Sequence, residues 1–129
     1  MWLTSLTEGQ REALIRLAHN VVVSDGLLDP NEESMLDEFR REMALHPDVE
    51  PYYIELEGIE DVFDSTRSRT IALLNLLRLS YVDGAFEVEE ECFLKVLSRA
   101  FDVSDEQFLL LDNWVRRLVS LEREALGFR

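Results

Sequence analysis

SDGLLDPNEE, residues 24–33, returns 58 residues later as VDGAFEVEEE, residues 82–91. Each copy places an Asp-Gly pair after an apolar run, an apolar residue two positions past the glycine, and acids where the next run opens. Glycine supplies the left-handed turn that a side chain would oppose, so each stretch predicts the corner between two helices. Laying Asp83-Gly84 over Asp25-Gly26 brings the stripe Met35, Leu36, Phe39 and Met43 onto Phe93, Leu94, Leu97 and Phe101. Matching helix ends and core faces predict an internal duplication of helical hairpins.

The flanking sequence extends this pattern. Thr7 with Gln10 predicts the capped start of a first helix that turns Leu14, Leu17, Ala18, Val21 and Val22 inward and ends at Gly26. Asp29 as cap, Pro30 at the first helical position and Glu32 as the returning arm predict the second helix. His46, Pro47 and Pro51 end it. The segment to Asp64 reads as a short helix or compact connection anchored by Tyr52, Tyr53, Ile54 and Phe63. A fourth helix from Asp64 or Ser65 is apolar on nearly every side from Ile71 to Val82 and is expected at the centre. A fifth, from Val88 to Phe101, buries Phe93, Leu94, Leu97 and Phe101. A sixth, capped by Ser104 with Gln107, shares Phe108, Leu111, Val115 and Leu118 on one face, widened by Trp114. With 5 Gly, 3 Pro and no alternating apolar pattern, residues 1–129 are expected to form one all-α domain of about six helices.

The chain has 129 residues, 47% of them hydrophobic, enough for one core. Its net charge of −14 repels phosphate backbones and anionic membranes, so neither nucleic acid nor a membrane is an expected partner. A protein partner with a basic or apolar surface fits better. Cys92 is the single cysteine and reads as a small buried residue rather than a nucleophile. The apolar run Ile71 to Val82 is about half the roughly 20 residues that span a bilayer, and no signal-peptide pattern opens the chain. A cytoplasmic location is expected.

The corners carry the candidate chemistry. Asp-Gly, an apolar residue and a later glutamate match the back half of an EF-hand loop, but the front ligand positions would fall on Val21 and Val23, or Leu79 and Tyr81. An EF-hand is therefore not expected. Helix, Asp-Gly, apolar residue and a glutamate seven after the aspartate, twice over, resembles the TerB-like family. The matching residues are Asp25, Gly26, Leu28 and Glu32, and Asp83, Gly84, Phe86 and Glu90. The resemblance implies a bacterial cytoplasmic helical module associated with tellurite or other chemical stress, whose acids have been proposed to bind a metal ion.

Two readings of those acids stand. In one, Asp25, Glu32, Asp83 and Glu90 converge and hold a divalent cation, Mg²⁺ or Ca²⁺, through oxygen ligands, relieving their mutual repulsion. In the other, each acid caps a helix whose dipole welcomes negative charge, and the domain is a structural protein-interaction module with no metal. Glu87 and Val88 stand where the first copy has Asp29 and Pro30, so capping accounts for Glu32 more fully than for Glu90. His19 and His46 read as packing and helix-end residues. No zinc spacing, phosphate loop, nucleophile elbow or Cys-His pair occurs, and no enzymatic activity is expected.

Overall fold

Thr7 and Ser65 open helices in the same way, 58 residues apart. Gln10 donates its backbone amide to Thr7 Oγ1 (3.3 Å) and accepts from the Thr7 amide through Oε1 (3.0 Å). Ser65 and Ser68 form the equivalent reciprocal box, as do Ser104 and Gln107. These pairs satisfy amides that a helix start otherwise leaves without partners. The computed structural model describes residues 1–23, 30–45, 54–82 and 88–128. A short 3-10 turn, Leu3–Ser5, precedes α1 (Glu8–Val23), α2 (Pro30–Glu42), α3 (Ile59–Val62), α4 (Thr66–Tyr81), α5 (Val88–Ala100) and α6 (Asp105–Leu126). Among the described residues all regular structure is helical.

The boundaries of α1 and α4 differ by 58 at both ends, 8 against 66 and 23 against 81. Those of α2 and α5 do the same, 30 against 88 and 42 against 100. The terminations agree too. After α2, Ala44 turns left-handed (φ 52°) and donates to Arg41 O, while Leu45 donates to Arg40 O. After α5, Asp102 (φ 56°) donates to Arg99 O and Val103 to Ser98 O. Both are the paired closing bonds of a Schellman end, here without glycine.

Arg11 and Arg69, each in the first turn of its helix, repeat one further device. Arg11 donates to Thr4 O, Leu6 O and Met43 O, tying the entry of α1 to the end of α2. Arg69 donates to Glu60 O, Phe63 O and Phe101 O, tying the entry of α4 to the end of α5.

α4 packs against α1, α2, α5 and α6, and from Ile71 to Tyr81 every residue is buried, as its all-round apolar pattern predicts. The polar residues inside it are bonded locally: Ser80 Oγ donates to Leu76 O, and Asn75 Nδ2 to Ile71 O. Leu14, Leu17, Ala18, Val21 and Val22 of α1, with Phe39, Met43, Phe63, Leu94, Leu97 and Phe101, complete one core.

Three expectations change. Cys92 is exposed rather than buried, because the inward stripe of α5 runs through Glu90, Leu94, Leu97 and Ser98 and leaves position 92 on the opposite side. Trp114 does not widen the inward face of α6. That face is Phe108, Asp112 and Val115, with Leu111 and Leu118 half-buried, and Trp114 looks outward. Phe93 and Leu36 are half-buried flanks of their stripes. The corner residues Gly26, Leu28, Asp29, Gly84, Phe86 and Glu87, and the anchors His46, Pro47, Tyr52 and Tyr53, lie outside the described residues.

Candidate functional site

Of the four predicted ligands, the structure describes Glu32 and Glu90; Asp25 and Asp83 lie outside the described residues. Glu32 occupies the third position of α2 and Glu90 the third of α5. Both are buried, to 3% and 2% exposure, although neighbouring Glu33 and Glu89 are exposed. Their inward direction follows from helical spacing: Glu32 shares its face with Met35 and Phe39, and Glu90 with Leu94 and Leu97. Neither carboxylate is isolated. The corresponding third positions of α1 and α4, Gln10 and Ser68, are also buried and serve as box arms.

The donor chemistry at the two corners suits a hard cation, since carboxylate oxygens are what Mg²⁺ and Ca²⁺ take. Among the described residues no group of three or more acidic, histidine or cysteine side chains is assembled. A cation held by Glu32 and Glu90 would draw its further ligands from Asp25 and Asp83. His19 is half-buried on α1.

A second polar cluster was not singled out by the sequence. Tyr81, at the end of α4, donates its hydroxyl to Asp112 Oδ1 at 2.6 Å and accepts from Arg116 Nε at 2.8 Å. Arg116 Nε also lies 3.2 Å from Asp112 Oδ2, and its guanidinium sits 5.4 Å from the Tyr81 ring centre. Burial, and then the bond to Asp112, push the Tyr81 phenol up to about 12. The bond to Tyr81, with Asp112 nearby, raises Arg116 in turn. A phenol held neutral so far above neutrality is a poor general base. The cluster instead fastens α6 to the end of α4. The one signal for it in the sequence was the spacing of Asp112 and Arg116, four apart on a helix.

The raised phenol makes a test. Because the folded form keeps its proton while the unfolded chain loses it near pH 10, Tyr81 contributes stability that is complete below pH 10 and lost as pH rises toward about 12. Absorbance titration of the three tyrosines should show one ionising near pH 12, and Tyr81→Phe should remove that late step. Three midpoints near 10 would contradict the buried bond.

No described helix is long and apolar enough to cross a membrane. No family model, curated protein or solved structure matches this chain.

Proposed function

We propose that this protein is a non-enzymatic, TerB-like stress-response module built from two duplicated helical hairpins, and that its acidic corners take up a divalent cation, Mg²⁺ or Ca²⁺. The observation that carries this reading is the burial of Glu32 and Glu90 at equivalent third positions of α2 and α5. A neutral box arm such as Gln10 or Ser68 can be buried at little cost once bonded. An ionised carboxylate removed from water needs compensating positive charge or several donors. Helix N-termini provide part of this, and a cation shared with Asp25 and Asp83 would provide the rest. The matching boundaries, Schellman ends and arginine ties support the duplication on which the equivalence rests.

Isothermal calorimetry tests the cation. Mg²⁺, Ca²⁺, Mn²⁺ or Zn²⁺ should give saturable heat with the wild type, reduced at least about tenfold in affinity in the Glu32→Gln/Glu90→Gln double variant, as loss of charged ligands requires. Absence of heat with all four metals in the wild type would remove the cation.

A second reading is favoured by a different observation. α6 turns Leu110, Trp114, Leu121 and Phe128 outward, at 70%, 36%, 61% and 90% exposure, and their spacing places them along one side of the helix. Such a stripe is the form an interaction domain presents to an apolar partner surface. In that reading Glu32 and Glu90 act as caps alone.

A further inference from the structure

α4 is enclosed on almost all sides, yet it carries a guanidinium at Arg78. The Arg78 side chain is 8% exposed. Its one ion pair is long, Nη2 to Glu122 Oε1 at 3.4 Å, and reaches a carboxylate that is itself 49% exposed. Its buried Nε makes no hydrogen bond. Buried cations are ordinarily paired and bonded through every donor, so an arginine satisfied on one side only points to something that completes it.

The equivalent position of α1, 58 residues earlier, is Asn20, and there the arrangement is complete. Asn20 Nδ2 donates to Ile54 O at 2.9 Å, and Ile54 donates its amide to Asn20 Oδ1 at 3.4 Å. The chain's own backbone closes that position. At Arg78 the corresponding space is a cleft of about 410 Å³ between α2, α4 and α6, within the range of roughly 300–1,000 Å³ typical of small-molecule sites. Met35, Val82, Val119 and Leu126 provide its apolar walls, and Arg123 lines it beside Arg78. Arg123 is anchored there by donating Nη2 to Tyr81 O at 3.1 Å.

Two guanidiniums and the Glu122 carboxylate give the cleft one net positive charge, in a chain whose net charge is −14. A single negative charge balances it. A phosphate dianion would overshoot and meet Glu122, whereas a carboxylate matches the fork of a guanidinium through two parallel bonds. We propose that this cleft binds an amphipathic monocarboxylate. The carboxylate pairs with Arg78 in place of Glu122, Arg123 supplies the second positive charge, and an aliphatic tail lies among Met35, Val119 and Leu126. The site shares no residue with the acidic corners.

Octanoate serves as the probe, with acetate and 1-octanol as controls, read by thermal unfolding and calorimetry. Octanoate should bind at one site and raise the melting temperature, as any ligand selective for the folded state does. Acetate lacks the tail and octanol the charge, and each should bind at least tenfold more weakly. Arg78→Met replaces a half-satisfied buried cation with an apolar side chain of similar length. It should melt higher than the wild type without ligand and lose the octanoate shift. Glu122→Gln removes the competing carboxylate and should tighten octanoate severalfold. The proposal is overturned by no octanoate binding to the wild type, by octanol binding as well as octanoate, by undiminished binding in Arg78→Met, or by unchanged affinity in Glu122→Gln. The last variant keeps the test decisive should Arg78→Met fail to fold.

Discussion

Phe101→Ala is expected to lower unfolding free energy by about 3–5 kcal/mol, the usual cost of emptying a large aromatic site in a packed core. Phe101 is 1% exposed and meets Phe63 edge to face, with ring centres 5.4 Å apart. Its backbone carbonyl is also one of the three that Arg69 holds. Small domains have only about 5–15 kcal/mol in total, so this one change should remove a large share. Urea denaturation at constant slope gives the difference directly. A loss below about 1.5 kcal/mol would mean that the site collapses freely, contrary to a core in which α3, α4 and α5 meet at this ring.

Arg69→Met is the second large effect. Three carbonyls on three separate stretches, Glu60, Phe63 and Phe101, accept from one guanidinium at 2.8, 2.6 and 3.0 Å. Methionine keeps much of the aliphatic stem and removes every donor. Hydrogen bonds from charged groups contribute about 1.5–3 kcal/mol each, and these are coupled and partly open to water, so a total of about 2–4 kcal/mol is expected. Arg11→Met should behave similarly, because its three bonds join the entry of α1 to the end of α2 in the same manner. If Arg11→Met were neutral while Arg69→Met was severe, the two hairpins would not share one structural logic. Surface charge reversal elsewhere on this acidic chain should have a far smaller effect.

The hairpins were legible because their signals are local. Capping pairs at Thr7, Ser65 and Ser104, and apolar residues recurring every three to four positions, specify helix starts and inward faces without knowledge of the partner. The sequence also placed Glu32 and Glu90 correctly at the opening of their helices. It did not show that both carboxylates point inward, since acids at helix starts usually face water. Cys92 and Trp114 were assigned to the core from hydrophobicity, but the stripes of α5 and α6 turn them outward, and only the angle at which each helix lands on its neighbours fixes that. Arg78 was visible as a charge interrupting an apolar run. Its cleft was not, because that depends on where α6 ends up against α2, a contact between segments far apart in the chain. The arginine ties escaped notice for the same reason: a guanidinium bonding backbone carbonyls leaves no trace in the residues that accept.

The central claim is that two equivalent corners hold one cation through buried carboxylates. Addition of substoichiometric Mn²⁺ to ¹⁵N-labelled protein tests it most directly, since the paramagnetic ion broadens nearby amide signals. The account predicts that signals of residues 30–33 and 88–91 fade together, at the same metal ratio, and recover when excess Mg²⁺ displaces the probe. Fading confined to surface acids such as Glu38 and Glu106, or at one corner without the other, would contradict it.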